Sequence, residues 1–90
     1  MTNNYRYEEK KVNGDTWGIH YLRLNVNIVK ITCELMRPNR KFWQSKVLYS
    51  DWTVCNLNKV NIIRSLADDI ITNYYNNQRK IKELNDFFEK

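Results

Sequence analysis

Apolar and polar residues alternate strictly through Leu22-Arg23-Leu24-Asn25-Val26-Asn27-Ile28. A period of two marks a sheet with one buried face. After Ile28 the phase flips. Val29, Ile31, Cys33 and Leu35 now carry the apolar side, with Lys30, Thr32 and Glu34 opposite. Such a one-residue change requires a turn or a bulge, and the pattern leaves both open at residues 25–27. Before this stretch, Tyr5–Val12 reads as a strand. Asn13-Gly14 then offers two residues that tolerate positive φ, the favoured pair for a tight hairpin, and residues 16–24 return as the second strand. Arg37-Pro38-Asn39-Arg40-Lys41 ends the third strand as a loop. Residues 42–52 read as the last strand, with Trp43, Val47 and Tyr49 on one face and Gln44 and Lys46 on the other.

From residue 56 the period changes. Leu57, Val60, Ile63, Ala67, Ile70, Ile71, Tyr74, Ile81, Leu84 and Phe88 recur in steps of three and four, a stripe down one side of a helix. Asn56 or Asn58 can cap its start. A helix of about 30 residues is roughly 45 Å long at ~1.5 Å per residue. Strands able to cover it reach only about 25–30 Å at ~3.3 Å per residue. The helix therefore either breaks or overhangs. Residues 72–77 are the expected break near Asn76, because β-branched residues and Asn are poor helix formers. An unbroken helix needs a partner for its apolar end, most simply a second copy.

Strands followed by a helix predict one α+β domain over residues 1–90, β-rich over 1–52 and helical over 56–90. An antiparallel sheet of three to four strands carries the long helix on one face. The expected core is Tyr7, Ile19 or Leu22, Leu24, Ile31, Cys33, Val47, Tyr49 and the helix stripe.

Composition narrows the function. Residues 1–52 hold nine Lys/Arg against five Asp/Glu, whereas residues 53–90 hold six against five. The basic excess therefore lies in the sheet half and favours a polyanion or an acidic protein face. No apolar run is long enough to span a membrane, and the first residues lack an apolar signal stretch. A cytosolic protein is expected, with Cys33 and Cys55 as semi-buried thiols.

Catalytic chemistry finds little footing. His20 stands alone, without a recognisable nucleophile motif. Asp68 and Asp69 are helix neighbours whose side chains point about 100° apart and do not converge. The sequence has no glycine-rich phosphate loop and no metal-ligand spacing, so no enzyme, metal or cofactor is expected.

Binding chemistry is better supplied. With the helix on one face, the other is expected to display Arg23, Asn25, Asn27, Lys30, Thr32 and Lys46, joined by Arg6 and Lys10. Arg37, Arg40 and Lys41 extend this charge beside Phe42 and Trp43. Phosphates want cationic donors and unpaired bases want aromatic platforms. The candidate contacts are Arg23, Lys30, Arg37, Arg40, Lys41, Trp43 and Lys46, and the expected ligand is single-stranded or structured RNA. The helix mixes Asp68, Asp69, Glu83 and Asp86 with Lys59, Arg64, Arg79 and Lys82, unlike a one-sidedly basic major-groove reader.

The stretches Tyr74-Tyr75-Asn76-Asn77 and Asn56-Leu57-Asn58-Lys59 typify a chain rich in Asn, Lys, Ile and Tyr. In that style and size the chain resembles the small accessory proteins encoded by T-even-type bacteriophages. The resemblance implies a protein of the host cytoplasm that binds and disables a host or defence protein, such as a toxin ribonuclease. It carries over no functional residue. The combined expectation is a small basic RNA-binding inhibitor. The alternative is a protein-binding inhibitor without nucleic acid, of the anti-CRISPR or antitoxin type, and the helix end leaves room for a homodimer.

Overall fold

Asn13 and Gly14 adopt φ of 53° and 83°, the left-handed pair that a two-residue hairpin needs. They join β1 (Tyr5–Val12) to β2 (Asp15–Arg23) in a register that sets Val12 opposite Asp15. The structure is a computed structural model that describes residues 4–39, 41–56 and 59–89. β3 (Val29–Met36) and β4 (Val47–Cys55) complete an antiparallel sheet in the order β1-β2-β3-β4. Helix α1 (Val60–Phe88) follows and packs over β3 and β4. The α+β architecture read from the sequence is the one observed.

The phase change after Ile28 is a turn. Leu24 N–H donates to the Ile28 carbonyl at 2.8 Å, and Asn27 N–H donates to Asn25 Oδ1 at 2.8 Å. An Asn side chain that accepts from the backbone two residues on stabilises a bend without strand pairing. β2 therefore ends at Arg23, and Leu24 is exposed rather than core. The last strand also starts later than expected. Residues 42–46 form a turn in which Lys41 N–H donates to Gln44 Oε1 and Gln44 N–H to the Lys41 carbonyl. Trp43 and Phe42 consequently project from a loop and not from a strand face.

One side of the sheet is apolar at Trp17, Ile19, Val29, Ile31, Cys33, Leu35 and Cys55. It meets Ala67, Ile70 and Ile71 of the helix. Tyr7 and Leu22 lie on the opposite side, so the core takes Ile19 in place of Leu22 and adds Trp17, which is fully buried. Val47 is half-buried and Tyr49 packs against the core margin.

The helix does not break at residues 72–77. Tyr74 and Tyr75 fall there, and both turn their rings edge-on to Trp17. The Tyr75 hydroxyl also accepts from Trp17 Nε1 at 3.1 Å and lies 2.6 Å from Asp15 Oδ2. Tertiary contact thus outweighs weak helix propensity, which costs only about 0.7 kcal/mol per residue. Past Tyr75, every described helix residue is exposed. The 29-residue helix, about 43 Å at ~1.5 Å per residue, overhangs its sheet, and the molecule is 58 Å in its longest dimension. No helix among the described residues is long and apolar enough to cross a membrane.

Candidate nucleic-acid interface

Side chains on a strand alternate between faces, so the pairing registers define the side of the sheet that α1 leaves open. Three rows cross it. Tyr5, Leu22, Lys30 and Val54 form the first. Tyr7, His20, Thr32 and Trp52 form the second. Glu9, Gly18, Glu34 and Ser50 form the third. Trp52 is 58% exposed, and Tyr5, Tyr7, Leu22 and Val54 are also open to solvent.

Local contacts hold these rings in place. A Cβ on Gly18 would stand 2.6 Å from the Tyr7 hydroxyl, so the absent side chain is what lets the Tyr7 ring lie across the strand. The Tyr7 ring centre is 4.8 Å from that of His20, and its hydroxyl donates to Glu9 at 3.1 Å. Burial first, and then Glu9, raise the Tyr7 phenol above its ordinary value. His20 is engaged on both nitrogens. Nε2 bonds the Glu34 carboxylate, and Nδ1 lies 2.5 Å from the Tyr5 hydroxyl. A carboxylate accepts only, so Nε2 is the donor to Glu34. Lys30 Nζ sits 4.7 Å from the centre of the Trp52 ring.

The surface is therefore an aromatic platform. Trp52 on β4 offers a π-face with a cation beside it, while Tyr5, His20 and Tyr7 form a tilted stack on β1 and β2, across β3 from it. Its charge is mixed, since Lys11 and Lys30 share the face with Glu9 and Glu34. This corrects the expectation of a basic surface.

The expected contact residues do not converge. Lys30 and Thr32 are on the open face. Arg23 pairs with buried Val29 and so lies on the helix side, where its guanidinium donates to the carbonyls of Asn25 and Val26 at 3.3 Å. Arg6 and Lys10 are on that side too. Lys10 pairs with Asp68 of the helix at 2.6 Å, and Arg6 lies 3.7 Å from Glu8. Asn25 and Asn27 occupy the β2–β3 turn.

Arg37, Lys41, Trp43 and Lys46 all belong to the β3–β4 connection, at the opposite end of the sheet from Lys30. Arg37 Nε donates to the Ser45 carbonyl at 2.9 Å and ties that loop. Lys41 Nζ stands 5.2 Å from the Trp43 ring centre, and Phe42 and Trp43 are 90% and 66% exposed. Arg40 lies outside the described residues. Sequence reasoning missed Tyr5, Tyr7, His20 and Trp52. Their signal was the alternation of Tyr5 with Tyr7 and of Leu48, Trp52 and Val54 on the phase opposite Tyr49 and Cys55.

No family model, curated protein or solved structure matches this chain. Among the described residues, no cluster of His, Cys, Asp and Glu is placed to hold a metal ion.

Proposed function

We propose that this protein binds single-stranded RNA on the open face of its sheet. One observation carries the reading. Trp52, Tyr5 and Tyr7 stand exposed on an uncovered sheet face, with the Lys30 ammonium against the Trp52 ring. Unpaired bases stack on such rings, at about 1–3 kcal/mol per base. Bases inside a duplex already have both faces occupied, so the platform favours single strands. Glu9 and Glu34 limit how many phosphates can approach, and stacking rather than charge supplies the affinity. Arg37, Lys41, Trp43 and Lys46 extend the surface for a strand that runs the length of the sheet.

Anisotropy with a labelled strand of ~8 nucleotides tests this. Trp52→Ala is expected to weaken binding about ten- to hundredfold. The salt slope is expected to be shallow, about −1.4 for two neutralised phosphates, despite the +5 net charge. Absence of binding at low salt, or equal affinity for duplex RNA, rejects the reading.

A second reading has its own observation. Ile81, Leu84 and Phe88 continue the helix stripe beyond the sheet and are more than half exposed. Along the same stretch the cations Arg79, Lys80 and Lys82 precede the anions Glu83, Asp86 and Glu89. An antiparallel second copy sets basic half against acidic half, whereas a parallel copy sets like against like. We propose that this end pairs with itself. Inhibition of a host or defence protein, which the phage resemblance implies, fits the same surface as a helix laid into a partner's groove. Both readings suit the cytoplasm, where Cys33 and Cys55 stay reduced.

A further inference from the structure

On the helix side, a groove of about 350 Å³ opens between the first turns of α1 and the starts of β1 and β3. Arg6, Arg23 and Arg64 line it from three different elements, and Val29, Ile63 and Tyr21 supply apolar and aromatic wall. The only carboxylate among its lining residues is Glu8. Glu8 accepts from Arg64 at 3.2 Å and lies 3.7 Å from Arg6 Nε. One carboxylate thus serves two guanidinium groups, and Arg23 spends its described bonds on two backbone carbonyls. Each guanidinium has five N–H donors, so donors remain on all three. Three cations against one anion leave the groove with a formal surplus of two positive charges.

Planar guanidinium forks match phosphate oxygens in pairs, and they do so more strongly than ammonium groups. The apolar wall adds room for a ring beside the phosphate. A volume of about 350 Å³ falls at the lower end of ordinary ligand pockets, about 300–1,000 Å³. Tyr21 already feels the exclusion of water: burial first, and Glu8 second, push its phenol up to about 12, while Arg64 opposes them.

We propose that this groove is a binding site for a nucleoside monophosphate, free or at the phosphorylated end of a strand. The phosphate meets Arg23 and Arg64, and the base or ribose rests on Val29, Ile63 and Tyr21. Arg6 and Glu8 frame the mouth. The groove opens on the helix side of the sheet, and of the platform's rings Tyr5 alone also lines it, at its edge.

Calorimetric titration of the full chain with adenosine monophosphate, adenosine and inorganic phosphate tests the proposal. The monophosphate is expected to bind saturably, and adenosine at least about tenfold more weakly. Arg23→Gln and Arg64→Gln are each expected to weaken the monophosphate by about tenfold. Glu8→Gln removes the competing carboxylate and is expected to tighten it, a gain that misfolding cannot mimic. Trp52→Ala leaves it unchanged. With the platform weakened by Trp52→Ala, tighter binding of a 5′-phosphorylated oligonucleotide than of its 5′-hydroxyl twin assigns the site to strand ends. Equal behaviour of the two oligonucleotides, with the mononucleotide still bound, assigns it to free nucleotide. No saturation by the monophosphate, or unchanged affinity in both arginine variants and Glu8→Gln, overturns the proposal.

Discussion

Trp17 shows at residue scale how polar atoms are accommodated in this core. Its ring is fully buried, yet its indole N–H finds the Tyr75 hydroxyl at 3.1 Å. That hydroxyl has one proton to give and two acceptors in reach, Asp15 at 2.6 Å and the Val12 carbonyl at 3.1 Å. Tyr75→Phe keeps the ring and removes the acceptor. The buried indole N–H then loses its partner, and the expected cost is about 1–3 kcal/mol, read as a lower urea midpoint at unchanged slope. An unchanged midpoint would mean that water reaches the indole. Titration gives a second expectation. Burial pushes the Cys33 thiol from 9.0 to about 12 and the Tyr21 phenol from 10.0 to about 12, with nearby carboxylates adding to both. Raised pKa values mean that the fold holds its protons more tightly than the unfolded chain does. Stability from these groups is therefore complete below pH 9 and is lost as pH rises from there towards 12. Urea midpoints measured across that range are expected to fall. In Cys33→Ala the decline is expected to begin later, near the ordinary tyrosine value.

At the scale of elements, alternation made the strands legible, most clearly in β3 and least in β4, whose start lies later than expected, but it left the choice of face open. In β1 the alternation sets Tyr5 and Tyr7 against Arg6, Glu8 and Lys10, and hydrophobicity alone turns the tyrosines inward. The structure turns them outward: β1 is an edge strand, and the helix packs chiefly over β3 and β4. There the helix side is bridged by charge instead of apolar packing: Lys10 reaches Asp68, and Arg64 reaches Glu8. A hydrophobic period cannot encode where on a sheet a helix will lie. Arg37 and Lys41 were legible as loop residues but not as part of a site, since their position at the far end from Lys30 depends on which strands pair. The unbroken helix was missed for a related reason. Asn and Thr at residues 72–77 predict weakness, and the rings of Tyr74 and Tyr75 that override it find their partner, Trp17, nearly 60 residues earlier. Burial in α1 ends with those two tyrosines. A chain stopped after Asn76 is accordingly expected to fold, with a thermal midpoint within about 4–8 °C of the full protein, the shift that about 1 kcal/mol produces in a domain this small. Loss of the cooperative transition on truncation would show that the overhang contributes to the core after all.

At the scale of the whole molecule, the helix overhang is the feature that self-association accounts for most directly. A projection of residues 76–89 exposes Ile81, Leu84, Phe87 and Phe88 at the end of a charged rod. Apolar groups at such density normally mark an interface. The overhang is only about 20 Å long at ~1.5 Å per residue, too short to bury the roughly 1,200–2,000 Å² of a stable complex. The pairing is thus expected to be weak and visible as concentration dependence. Light scattering should give a mass near 11.0 kDa when dilute, rising towards twice that value as concentration increases. Ile81→Asp with Leu84→Asp is expected to hold the mass at the monomer value while leaving the near-ultraviolet signal of buried Trp17 intact. Charge order supplies a more specific check. Lys82→Glu alone places a like charge opposite the acidic half of the second copy and is expected to weaken pairing. Lys82→Glu combined with Glu83→Lys exchanges the two signs at the centre of an antiparallel arrangement and is expected to restore it. A mass that stays monomeric at every concentration would leave the apolar end to a different protein and remove the second copy from the account.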